Sequence, residues 1–213
     1  MRHRLVVASM VLLAACSDNR SAELFDKPTA TTVPADAAPR STEGLVVGKA
    51  PTAPNSKSFV TLTPADTKAL PPPDTKPMMD QIQLSFVPAL LIVRSGNPVV
   101  FRSSDEELHN ININHARTRQ QEFNIAIPPD GTYEHTFRTP GFYDVQCDIH
   151  PTMSAQIFVA DTPYVVIADG DGSFAFEGVE PGAYTLSVYT GGTRRDQPIQ
   201  VASGRNDVRF TMY

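Results

Sequence analysis

The chain reads as an all-β protein, a sandwich or barrel of many short strands, and three observations carry that reading. Every apolar run beyond residue 40 is short and bounded by Pro, Gly or Asn. Alternation with a period of two recurs, most cleanly over Gln81–Phe86. No window of a dozen residues sets apolar side chains at i, i+3, i+4 and i+7, the signature of an amphipathic helix. With 213 residues, 41% hydrophobic and 19% charged, the chain can bury a real core and is not a disordered polymer.

Taken in order, the runs that read as strands are Gly44–Val47, Ser58–Thr63, Gln81–Val87, Ala89–Val93, Pro98–Phe101, Asn110–Ile113, Phe142–Val145 and Ala155–Val159. A second strand-rich unit follows Pro163. It comprises Tyr164–Ile167, a hairpin turn at Ala168–Gly172, Ser173–Phe176, a turn at Glu180–Gly182, Ala183–Tyr189 and Asp207–Met212. Asp-Gly and Pro-Gly are strong turn dipeptides. Some fifty residues is thin for an independent sandwich. Leu70–Lys76, with three consecutive prolines, reads as a connector, so the strands before it are expected to join the C-terminal unit. Residues 41–76 and 162–213 would then form one small sandwich, with residues 77–161 inserted into it.

Arg2 and Arg4 make the start positive and Leu5–Ala15 is apolar, broken by Ser9; the stretch is too short to span a bilayer and fits an export signal over residues 1–15. It ends in Leu13-Ala14-Ala15-Cys16, which resembles a bacterial lipobox, so Cys16 is expected to be acylated and to anchor the chain. Ser17 at the next position points to the outer membrane. Residues 16–40, rich in Ala, Thr, Pro, Ser and Asp, read as a flexible tether facing the periplasm. Net charge is −5; without Arg2 and Arg4 it is 16 basic against 23 acidic residues, or −7, which argues against a nucleic-acid partner.

With Cys16 spent on lipid, Cys147 is the only other cysteine, and it is unpaired in an oxidising compartment. A metal would occupy it. Cys147, His150 and Met153 fall within seven residues, on what reads as a strand end and tight loop. A thiolate with two imidazoles and a weak axial thioether is the type 1 (blue) copper set: soft sulfur stabilises Cu(I), and imidazole suits both oxidation states. The second imidazole must come from upstream on a neighbouring strand. His109 fits, His115 is the reserve on the same strand face, and His135 reads as solvent-facing. Zinc is disfavoured for want of a second Cys or a close His pair. A Cys–His hydrolase is disfavoured because a His three residues away on a tight loop is a poor base for that thiol. Met78-Met79 carries no assigned role. Asp105-Glu106-Glu107 reads as a solvated turn, with docking near the metal as its other reading, and Asp169–Gly172 lacks the ligands of a calcium loop.

These residues also carry a family resemblance. Phe86-Val-Pro88, Gly96, Val99-x-Phe101, His109-Asn110 and Pro140-Gly-x-Tyr143-x-x-x-Cys147 resemble a cupredoxin, and Cys147-x-x-His150-x-x-Met153 is similar to the short ligand loop of amicyanin. The wider chain resembles plastocyanin-like or methylamine-utilisation proteins, in which a Greek-key copper sandwich is joined to a carboxypeptidase-regulatory-like (prealbumin-type) module; Val179-x-Pro-Gly-x-Tyr184-x-Leu186 carries the second part. The resemblance implies one copper ion held by His109, Cys147, His150 and Met153. It gives Asn110 the task of fixing the ligand strand towards the thiolate, and Pro151 that of stiffening an apolar loop around the electron exit. It implies a carrier of single electrons between periplasmic partners, a cytochrome or dehydrogenase, and no enzyme. The alternative is a copper-binding lipoprotein for resistance, storage or delivery.

Overall fold

The computed structural model describes residues 42–66 and 76–210, so the export signal, Cys16, the tether and nearly all of the connector lie outside the described residues. The described chain is all-β, as the periodicity predicts. In order its strands are β1 (Gly44–Lys49), β2 (Phe59–Pro64), β3 (Met78–Ile82), β4 (Ser85–Val87), β5 (Leu90–Arg94), β6 (Pro98–Ser103), β7 (His109–His115) and β8 (Gln121–Ile127). Then come β9 (Thr132–Thr136), β10 (Gly141–Gln146), β11 (Ser154–Ala160), β12 (Val165–Ile167), β13 (Ser173–Val179), β14 (Gly182–Thr190), β15 (Thr193–Val201) and β16 (Gly204–Arg209).

Two of the four sheets enclose the first core. One is ordered β5-β11-β10-β7-β8 and the other β4-β3-β6-β9. β7 shows why the chain folds this way: in His109-Asn-Ile-Asn-Ile-Asn-His115 the odd positions face inward and the Asn positions outward, and Ile111 and Ile113 are fully buried. They pack with Phe101, Phe137, Tyr143, Val145 and Ile157 in one apolar cluster that also takes in Cys147 and Met153. Burying a side chain of this size stabilises by about 1.5–3 kcal/mol each.

The other two sheets, β13-β1-β16 and β12-β2-β14-β15, enclose a second cluster around Val46, Leu62, Phe176, Leu186 and Val188. β1 lies parallel to β16, Gly44 opposite Gly204, and β2 lies antiparallel to β14, Leu62 opposite Leu186. The strands preceding residues 67–75 thus share sheets with strands following Pro163. A third cluster joins the two halves: Phe158 and Ala160 of β11 meet Phe59 of β2, with Phe142 and Tyr189 against them.

Two expectations are corrected here. Gln81–Val87, read as one strand, reverses at Gln83-Leu84 and splits into the antiparallel pair β3 and β4, because alternating polarity does not mark where the backbone turns. Ala168–Gly172 does turn, with the Gly172 N–H donating to the Asp169 carbonyl at 2.8 Å, but it is no hairpin. β12 before it pairs with β2, and β13 after it pairs with β1, so the turn carries the chain from one sheet to the opposing one. A turn dipeptide fixes a reversal of direction and says nothing of which strands pair.

Candidate metal centre

The antiparallel register of β10 on β7 sets the site. Val145 lies opposite Ile113 and Gln146 opposite Asn112. Continued past the strand end, that register lays the segment from Cys147 to Ile149 alongside His109–Ile111. β10 and β11 form a hairpin with Gln146 opposite Ser154, and Cys147 to Met153 is its loop. The Cys147 N–H donates to the Met153 carbonyl at 3.2 Å and the Met153 N–H to the His150 carbonyl at 2.9 Å, which folds the loop back on itself.

The loop brings three predicted site residues together. His109, Cys147 and His150 place one donor atom each within 4.8 Å of one another. The two Nδ1 atoms face each other at 3.0 Å, and the Cys147 Sγ stands 3.8 Å from the His150 Nδ1. His109 is fully buried, Cys147 nearly so, and the His150 side chain keeps a quarter of its surface. Met153 is buried beneath the loop.

The outer ring nitrogens show what the inner ones must do. His109 Nε2 lies 2.9 Å from the Asp105 carboxylate, and His150 Nε2 lies 3.2 Å from that of Glu107. Burial pushes the Asp105 carboxyl up, but hydrogen bonds from the Leu84 and Gln83 N–H groups and from His109 outweigh it and hold it below the ordinary value. An ionised carboxylate takes an N–H, and a proton on each Nε2 leaves each Nδ1 with a lone pair turned inward. Two such lone pairs aimed at each other across 3.0 Å repel unless a proton or a metal ion sits between them. Donors sharing one first-row ion at bond lengths of about 2.0–2.3 Å stand about 3–4 Å apart, the spacing seen here. With a thiol beside them, the donor set fits a borderline-to-soft metal.

Asn110 ties the loop to β7. Its Oδ1 accepts the Asp148 N–H at 2.7 Å and the Ile149 N–H at 3.4 Å, and lies 3.3 Å from the Cys147 Sγ. Its Nδ2 donates to the Asp148 carboxylate at 2.9 Å, which also receives Asn112 at 2.9 Å and Asn124 at 2.8 Å. The bonds from Asn112 and Asn124, then that from Asn110, hold the Asp148 carboxyl below its ordinary pKa against burial. From behind, the buried Gln81 donates to the Asn110 carbonyl at 3.2 Å. Sequence reading gave neither Asp148 nor Gln81 a part in the site. Nor did it give Asp105 and Glu107 their partners: the turn it took as solvated has two of its three carboxylates on imidazoles. Pro151 is exposed at the loop tip.

The other two histidines among the described residues stay outside. His115 shares the inward face with His109, but six residues of strand put it about 20 Å away. There it packs edge-on to Tyr143, and its Nδ1 accepts the Arg117 and Thr118 N–H groups. His135, expected to face solvent, is half-buried and bonds Glu122 at 2.8 Å, because Phe123 of β8 and Phe137 just after β9 cover its ring.

Comparisons with known proteins are partial. A family model described as polysaccharide lyase family 4, domain II, matches residues 148–208, less than half of the chain. No curated protein matches. Among solved structures, a reduced Cu(I) form of an amicyanin mutant is 21% identical over 41% of this chain and 85% of its own, with a TM-score of 0.37. A purple cupredoxin from Nitrosopumilus maritimus is 20% identical over 40% of this chain and 100% of its own, at 0.36. A copper-containing nitrite reductase from Thermus scotoductus is 23% identical over 47% of this chain and 26% of its own, at 0.39.

Proposed function

We propose that this chain is a type 1 copper protein that carries single electrons between redox partners. The observation that carries the reading is the inward-facing pair of imidazole Nδ1 atoms, 3.0 Å apart and beside the buried Cys147 thiol. His109, Cys147 and His150 would hold one copper ion, with the Met153 thioether as a weaker fourth donor. Bound there, copper supplies a one-electron couple. The chain's part is to hold these donors still and keep water out. β7, β10 and β11 are locked in one sheet, and Asn110 pins the loop, so the donors need move little when charge changes. His150 is the one ring of the pair that reaches the surface, and the exposed Leu108 and Ile149 flank it with apolar edge. That favours brief docking of a cytochrome or dehydrogenase there.

The copper-handling alternative drew on Met78-Met79, and Met79 is fully buried in the core. The pairing of β1 and β2 with β12 to β16 supports a copper sandwich over 77–161 set within a second, carboxypeptidase-regulatory-like one. We further propose export and acylation at Cys16, which place the carrier on the periplasmic side of the outer membrane; the mass of the processed N-terminal peptide tests that. For the centre the test is the visible and EPR spectrum of the Cu(II)-loaded protein beside Cys147→Ser. An intense thiolate-to-copper band with narrow hyperfine splitting, lost in the variant, is expected; weak colour with ordinary tetragonal parameters would overturn the reading.

A further inference from the structure

We propose that the acidic turn before β7 positions both imidazoles: the Asp105 carboxylate takes the outer N–H of His109 and the Glu107 carboxylate that of His150, and together they favour the oxidised state of the bound ion. The part concerning the ion rests on the copper reading above. The two carboxylates sit two residues apart in one turn and reach different rings, one from β7 and one from the ligand loop, at 2.9 and 3.2 Å. Glu106 between them makes no hydrogen bond or ion pair, so the turn uses alternate side chains and leaves the middle one in solvent.

Asp105 is itself held in place. The two-residue turn joining β3 to β4 has Gln83 and Leu84 at φ of 52° and 54°, a left-handed conformation that non-glycine residues adopt at a cost. Their N–H groups donate to the two Asp105 oxygens at 2.6 and 3.0 Å. The carboxylate therefore has fixed neighbours on one side and a fully buried ring on the other. A carboxylate on the outer N–H of a metal-binding imidazole fixes the tautomer and makes the ring a stronger donor. A stronger donor and two nearby negative charges both favour the more positive ion, so they lower the reduction potential.

The full chain, metal-free and then copper-loaded, tests this with E107Q, D105N and E106Q. In the metal-free protein, 15N NMR of the rings is expected to show protonated Nε2 on both histidines. E107Q moves the His150 Nε2 signal alone, D105N that of His109, and E106Q neither. In the loaded protein, E107Q shifts the preference for Cu(II) over Cu(I) about threefold and D105N about tenfold, potentials higher by about 28 and 59 mV for one electron. E106Q removes the same charge from the same turn and is expected to move the potential less than E107Q. An unmoved His150 signal in E107Q, or equal potentials in E106Q and E107Q, overturns the proposal. Failure of the copper reading shows separately, as a missing thiolate band in the unaltered protein, and the metal-free spectra alone then decide the positioning claim.

Discussion

The side-chain amide of Asn110 is oriented from both of its ends. Its oxygen accepts two loop N–H groups, and its nitrogen donates to the Asp148 carboxylate and to Asn124 at 2.8 Å. Asn110→Ala leaves those loop donors without a partner at a mostly buried position, so unfolding by urea is expected to lose about 1–3 kcal/mol. Asp148→Ala is a gentler probe, since the residue is exposed: the fold persists, while the buried Cys147 of the metal-free protein reacts faster with a thiol reagent. Unchanged reactivity would show that the amide network does not hold the loop. Cys147, His150 and Met153 were legible in the sequence because scarce, chemically distinctive side chains stand within seven residues. His109 could be picked by type and by its strand, with His115 a rival until distance along β7 separated them. Asp105, Glu107 and Asp148 were illegible for a physical reason: an acid in a polar turn looks the same whether it faces water or a ring nitrogen, and only the fold decides which.

Among the elements, β11 links the metal loop to the second sandwich, leaving Met153 at one end and entering the aromatic junction at the other. Phe158 is fully buried there, its ring 4.6 Å from Phe142, 5.0 Å from Tyr189 and 5.2 Å from Phe59. Phe158→Ala is expected to cost about 3–5 kcal/mol in equilibrium unfolding. The centre lies at the far end of the strand, so the same variant should keep the visible spectrum of the copper-loaded protein; a lost band would mean that the junction shapes the site. Strand prediction succeeded where one face is apolar, as in β7, and misled over Gln81–Phe86, where the alternating Ile82 and Leu84 are exposed and the buried positions of β3 are Met79, Asp80 and Gln81. It missed β15, whose Thr193–Asp196 stretch is polar and exposed and which is formed by nine register pairs with β14. An edge strand of that kind, with Pro198 in it, is specified by its partner more than by its own side chains. β8 went unread although Phe123, Ile125 and Ile127 alternate.

Over the whole molecule, acid should unfold the protein. Burial raises the Asp80 carboxyl, but hydrogen bonds from Arg102 and Ser104 more than offset it and hold it below the ordinary value; at Asp196, Arg194 likewise outweighs burial. Lys49 lowers Asp171, and Arg205 lowers Asp207. A carboxyl with a depressed folded pKa adds stability that is complete above the unfolded value of about 3.9 and is lost as pH falls through the folded one. The thermal midpoint is therefore expected to drop on acidification below about pH 4, less steeply in Asp80→Asn; a midpoint indifferent to pH would refute the assignment. Most of these pairs are exposed, so salt should blunt the effect. The parallel pairing of β1 with β16 bears on time as well as on structure. The first described strand cannot find its neighbour until nearly the whole chain has emerged, while β3 to β11 need only one another. Closing so long a loop is slow beside local pairing. Pulse-labelled hydrogen exchange should then find the β10 and β11 amides protected before those of β1, so that the half with the candidate site is finished and waiting when β16 clasps β1.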